Sequence, residues 1–220
     1  MKYLEMKEQT ILKIKPLSNG DSYPYLMINL LSDKGFKKDW IKDIKNLNDL
    51  EQHIFKLVRD YSETDSDNET LLMVFHLIQI WGGYSGNHIY LDNETGFNWD
   101  EIKEPYKELV HSCISITEDV TDEKAREGVF NAICKFNEEI SNIGISFITK
   151  HTRFWTSKKL GVNMLPIYDS IMAAYHKKNG KKPWNIKNYW AWMISQRHEG
   201  ESLADTERRL FNLARRESRE

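Results

Sequence analysis

The chain is poor in cysteine, proline and glycine: it has 2, 5 and 11 of them in 220 residues. The two cysteines, Cys113 and Cys134, lie among apolar residues in helix-like patterns. With no CxxC pair and no His-rich neighbour they argue against a disulfide scaffold or a zinc-ligand motif, and read as reduced core thiols. The low proline and glycine content fits a globular chain, with disorder expected only near SETDSDNET (62–70) and at the two ends. No apolar run approaches the ~20 residues needed to span a bilayer. The first fifteen residues, MKYLEMKEQTILKIK, have no apolar core of signal-peptide length. A soluble, intracellular, cytoplasmic protein is the expectation. The chain also lacks a dominant charge sign. Its net charge is −2 and its pI about 6.4, which alone says nothing about nucleic acid.

What is present is helical periodicity. The first 36 residues read as irregular, with TILKIK and YPYLMINLLSD as candidate short strands and no βαβ rhythm after them. From Asp39 an apolar stripe through Trp40, Ile44, Leu47, Leu50, Ile54 and Val58 predicts a helix. DNETLLMVFHLIQIWGG starts at Asp67 or Asn68, ends at Gly82-Gly83, and is apolar almost all round, as a buried central helix would be. GYSGNHIYLDNETGFNWD reads as a loop. DEIKEPYKELVHSCISITED follows as a helix with Pro105 in its first turn. TDEKAREGVFNAICKFNEEIS is a helix capped by Thr121. Next come a Gly-containing turn, a short helix, a loop, and a helix opened by Pro166. WNIKNYWAWMISQRHEG and SLADTERRLFNLARRE supply the last two helices. The fold class is therefore mainly α, with seven to nine helices and a small N-terminal β element.

The distribution of charge says more than its sum. Between Lys150 and Lys187 there are nine Lys or Arg and a single acid, Asp169. That asymmetry points to a basic face on a mildly acidic body. The candidates to hold a nucleic-acid backbone are Arg153, Lys158, Lys159, Lys177, Lys178, Lys181 and Lys182. Ahead of them, Gly144 and Ser146 sit in a turn between two helices, where free N–H groups can hold a phosphate. Lys150 stands near a helix start among Phe147, Ile148 and Phe154. Desolvation and the positive helix end both lower the affinity of its amine for a proton, and a neutral amine is a nucleophile. Asp169, after Pro166, is expected in the first turn of its helix, where a carboxylate can steady positive charge or orient a nucleophile.

A Gly-containing turn, Thr149-Lys150 with Phe154, and Pro166-Ile167-Tyr168-Asp169-Ser170 in this order resemble the helix-hairpin-helix DNA glycosylases. The resemblance is closest to bacterial proteins of the 8-oxoguanine glycosylase fold, including an anti-phage type. It covers residues 70–175, including an Ile80–Gly83 turn. The hairpin departs from the usual apolar-Pro-Gly-apolar-Gly, reading Ile143-Gly144-Ile145-Ser146. The resemblance implies a single domain over 1–220: an irregular segment over 1–36, then helical lobes over 37–220 with an active-site cleft between them. It also implies the activity. A modified base in double-stranded DNA is flipped out and its N-glycosidic bond cleaved, leaving an abasic site. Asp169 would be catalytic, and Lys150 either a nucleophile with lyase activity or a DNA contact. Trp81, Tyr84, Trp155 and Tyr168 are available for the base pocket. No metal or organic cofactor is needed, and a monomer is expected.

The base is open between 8-oxoguanine in repair and glucosylated hydroxymethylcytosine in defence against phage. Two other readings compete. One is a non-catalytic DNA-binding module on the same scaffold. The other is a protein-interaction domain using the aromatic run Trp184, Tyr189, Trp190, Trp192 and Met193, unless that run is buried under the C-terminal helix.

Overall fold

The structure, a computed structural model, describes residues 11–13, 25–27, 47–62, 68–82, 99–140, 143–179 and 185–218. It is mainly helical, with eight α-helices among the described residues. The chain divides into two compact units, Met1–Glu101 and Ile102–Glu220.

In the first unit, β1 (Ile11–Lys13) and β2 (Tyr25–Met27) pair antiparallel with Leu12 opposite Leu26. They fall inside the two stretches whose pattern suggests strands. Helix α1 (Leu47–Asp60) buries Leu50, Ile54 and Val58, a one-residue-per-turn stripe, and packs on α2 (Asn68–Trp81). Six apolar residues of α2 are buried together with His76 and Gln79, so it is covered nearly all round. Residues 39–46 of the expected first helix, and 83–98 of the expected loop, lie outside the described residues.

Helix α3 (Trp99–Ile114) begins earlier than its sequence suggests. Pro105 is therefore its seventh residue, not a first-turn proline. It brings no N–H to the Glu101 carbonyl one turn back. Helix α4 (Glu123–Glu139) is capped by Asp122, not Thr121. The Asp122 Oδ1 accepts the amides of Lys124 (3.0 Å) and Ala125 (3.3 Å). Thr121 is occupied in the preceding turn, where its amide and hydroxyl both donate to Asp119 Oδ1.

The rest of the second unit consists of α5 (Ile145–Leu160), a 3₁₀ turn (Gly161–Asn163), α6 (Ser170–Asn179), α7 (Ile186–Ser195) and α8 (Leu203–Glu217). Helix α5 has sixteen residues where the pattern suggests a short one. It packs on α4, and α8 packs on α6 and α7. Helix α5 ends at Gly161, whose φ of +55° and ψ of −125° are open to glycine and costly for other residues. That backbone reverses the chain, and residues 164–169 run back along α5 in irregular, non-helical form. Helix α6 starts only at Ser170, so Pro166 does not open it.

Candidate active site

Segment 164–169 is largely buried, with Ile167 and Asp169 half-buried, and a buried segment outside helix and sheet must find other partners for its backbone polar groups. Side chains from three helices supply them. From α5, the Thr156 hydroxyl oxygen accepts the Leu165 amide and that of Thr149 accepts the Tyr168 amide, each at 3.1 Å. From α7, Trp190 Nε1 donates to the Pro166 carbonyl at 3.0 Å and the Tyr189 hydroxyl donates to the Ile167 carbonyl at 2.8 Å. From α8, Glu207 Oε1 accepts the Ile167 amide at 2.6 Å. Proline at 166 brings no amide that would need an acceptor.

The threonines are suited to this. Thr149, Thr152 and Thr156 lie on one face of α5 and are buried. Thr149 donates its hydroxyl proton to the Ser146 carbonyl and Thr156 to that of Thr152, at 3.0 and 2.7 Å. Each hydroxyl oxygen is thus left free to accept from the segment. The lengths match. From Thr149 to Thr156 the helix rises about 10.5 Å at ~1.5 Å per residue. From Leu165 to Tyr168 an extended chain covers about 10 Å at ~3.3 Å per residue. Tyr168 is thereby fixed opposite Thr149, and the Lys150 and Asp169 charges that follow them lie near enough to act on each other.

Asp169 is the residue before α6, not a first-turn acid. Its Oδ1 accepts the Met172 amide at 2.8 Å, as an N-cap does. Burial raises its carboxyl above the ordinary aspartate range. The Met172 amide, the Lys150 charge and the Ile171 amide each pull it part of the way back. Lys150 is the sixth residue of α5 and so lies in its second turn. Burial lowers its ammonium below the ordinary lysine range, and Asp169 offsets part of that. The Lys150 Nζ sits 3.9 Å from the centre of the Phe147 ring. Both groups are therefore shifted toward their neutral forms: the lysine becomes more easily a free amine, and the aspartate a stronger base when ionised. Burial also pushes the Tyr189 hydroxyl well above its ordinary range, and the nearby Asp169 charge adds to this.

An open cleft of about 440 Å³ adjoins Asp169, lined also by Ile145, Ser146, Tyr168, Ala173 and Lys177 among others. Its volume is in the range of small-molecule sites. Gly144 is the N-cap of α5 and offers no side chain to the first-turn N–H groups, so that helix end is open to an anion. Its φ of −69° is one any residue adopts. The left-handed or close-approach freedom expected of it is not used within the chain, and open space faces its Cβ position.

The remaining candidates separate. Tyr168, 7% exposed, lines the cleft, with its ring 5.0 Å from that of Tyr189. Trp155 does not. It is fully buried, and its Nε1 donates to the Tyr106 hydroxyl at 2.8 Å, which is itself 2.8 Å from His151 Nδ1. Trp155 is core, and its indole N–H finds its partner inside the unit. Trp81 lies in the first unit at the end of α2, and Tyr84 is outside the described residues, as are Lys181 and Lys182. Arg153, expected at the backbone of DNA, is ion-paired with Glu207 and mostly buried. It supports segment 164–169 instead. Lys178 pairs with Glu217 at 2.5 Å on the surface, a weak exposed pair. Lys158 is half-buried and Lys159 exposed at the end of α5, and Lys177 is exposed beside the cleft.

Tyr189, Trp190 and Met193 are buried, so most of the described aromatic run belongs to the interior. Sequence reasoning missed Glu207, Thr156, Tyr189 and Trp190 as parts of the site. Glu207 had a signal. It occupies an apolar-stripe position of α8 between Leu203, Leu210 and Ala214, all buried. Among the described residues no three His, Cys, Asp or Glu gather as a metal site, and no helix is long and apolar enough to cross a membrane. No family model matches the chain, and no curated protein and no solved structure matches it either.

Proposed function

We propose that the chain is a DNA N-glycosylase that flips a modified base from the duplex and cleaves its N-glycosidic bond. One observation carries this reading. Pairing of α5 with segment 164–169 through Thr149 and Tyr168 accompanies a half-buried Lys150 amine within electrostatic reach of a half-buried Asp169 carboxylate, and Asp169 lines an open cleft. The uncapped start of α5 and Lys177 on the cleft wall suit the phosphate flanking a flipped nucleotide. Lys158, Lys159 and Lys178 extend the contact to the backbone, with Lys178 exchanging its exposed Glu217 partner for a phosphate. Tyr168 and the cleft wall beside it receive the base.

As the C1′–N bond breaks, the electron pair leaves with the base and C1′ gains positive charge. In one route water attacks C1′, Asp169 takes the proton, and an abasic site remains. In the other the Lys150 Nζ bonds to C1′ and gives up a proton to Asp169. The sugar ring then opens to a Schiff base and the strand is nicked. The substrate is either glucosylated hydroxymethylcytosine of phage DNA or 8-oxoguanine.

The test is purified protein on duplexes carrying each base, read with and without hot alkali, beside Asp169→Asn. Alkali-dependent breaks on one duplex, absent in the variant, are the expected result. Breaks without alkali assign Lys150 as nucleophile. Salt-sensitive binding without breaks on either duplex favours a non-catalytic DNA-binding module, and no binding removes DNA as the partner.

A further inference from the structure

We propose that Thr149 is a positioning residue: by taking the Tyr168 amide, its hydroxyl keeps the Asp169 carboxylate within electrostatic reach of the Lys150 amine. The proposal rests on the reading of that pair as the reacting groups. Thr149 is fully buried, and both its bonds are made within the unit: it donates to the Ser146 carbonyl and accepts from Tyr168. The other anchors of the segment stop short of Asp169. Thr156 holds Leu165, Trp190 holds Pro166, and Tyr189 and Glu207 hold Ile167. Beyond Ile167 the next fixed points are the Tyr168 amide on Thr149 and the Asp169 cap on Met172. The cap ties the carboxylate to α6 and says nothing about α5. Thr149 is therefore the link that ties Asp169 to the helix carrying Lys150. Thr156 makes the same two kinds of bond, two turns further along α5, and is the built-in control.

The test compares Thr149→Val, Thr149→Ser and Thr156→Val in the full chain. Valine keeps the shape and removes the hydroxyl, whereas serine restores it. The side-chain carbons of Lys150 and Asp169 are titrated by NMR after isotope labelling, with Lys150→Arg and Asp169→Asn used for assignment. Melting temperature is read alongside. Both valine variants are expected to lower the melting temperature by similar amounts, since each orphans one buried amide. Only Thr149→Val is expected to move both titrations toward ordinary lysine and aspartate values, as water enters between the two groups. Thr149→Ser is expected to return them. In single turnover on the susceptible duplex, Thr149→Val should slow base release by at least about tenfold, with serine restoring it, because small misplacements of reacting groups are costly.

If Thr149→Val leaves both titrations where the parent has them, or Thr156→Val moves them as far, the positioning role is refuted. If the parent chain releases no base from any duplex, the glycosylase reading fails. The titrations still decide the positioning role, because they need no substrate.

Discussion

Replacing Glu207 with Ala tests whether α8 holds the site segment in place. The carboxylate does two jobs in the interior: Oε2 pairs with Arg153 and Oε1 accepts the Ile167 amide. The Arg153 and Glu207 side chains are only 11% and 12% exposed, so little solvent screens the pair. Removing one partner of a buried pair costs about 3–5 kcal/mol, mostly from the charge left behind. The orphaned amide adds about 1–3 kcal/mol. Together these come to about 4–8 kcal/mol, and with a urea slope of ~2 kcal/mol per M even the lower end moves the midpoint down by about 2 M.

The assay is urea unfolding followed by tryptophan fluorescence, with Trp155 and Trp190 buried in the unit that unfolds. A second variant separates the two costs. Arg153→Met with Glu207→Leu removes both charges and leaves the amide unpaired, so it should recover much of the loss. A Glu207→Ala midpoint within about 0.5 M of the parent, corresponding to ~1 kcal/mol, would refute the claim that this pair anchors segment 164–169. So would a double variant no better than the single one.

Three further predictions follow from the same geometry. Asp169→Asn keeps an N-cap oxygen for Met172 and removes the charge that raises the Lys150 pKa. Lys150 should therefore titrate lower than in the parent by NMR, and base release should stop. For stability, the signs oppose. Asp169, raised in the folded state, contributes stability below the ordinary aspartate pKa that is lost as pH rises through its folded pKa. Lys150, lowered, contributes stability above the ordinary lysine pKa that is lost as pH falls through its folded value. Asp169→Asn should accordingly flatten the acid side of the stability–pH curve measured by thermal unfolding. Gly144→Ala adopts its φ without strain and meets open space, so stability should hold or rise by about 0.5 kcal/mol. DNA affinity in a salt titration should fall if a phosphate approaches that helix end.

Helices were legible where the signal is local. The Leu50, Ile54, Val58 stripe and the apolar run of α2 mark elements that the structure contains. Caps were harder, because Asp122 and Thr121 are both good cap residues and the Asp119 turn decides between them. Start points also misled at α3 and α6, where proline suited a first turn it does not occupy.

The sequence by itself determined a mainly helical fold, Lys150 and Asp169 as the chemically suggestive residues, and a local excess of positive charge. All of these depend on residue type and short-range periodicity. The tertiary structure alone decided which acids answer these charges. Of the nine cations between Lys150 and Lys187, Arg153, Lys178 and Lys187 are answered by Glu207, Glu217 and Glu127, which lie 39 to 60 positions away in sequence. It also decided that Trp155 is core and that segment 164–169 is held by α5, α7 and α8. Periodicity and capping act over a few residues. Burial and long-range pairing depend on which helices meet, and that is set only when the whole unit packs.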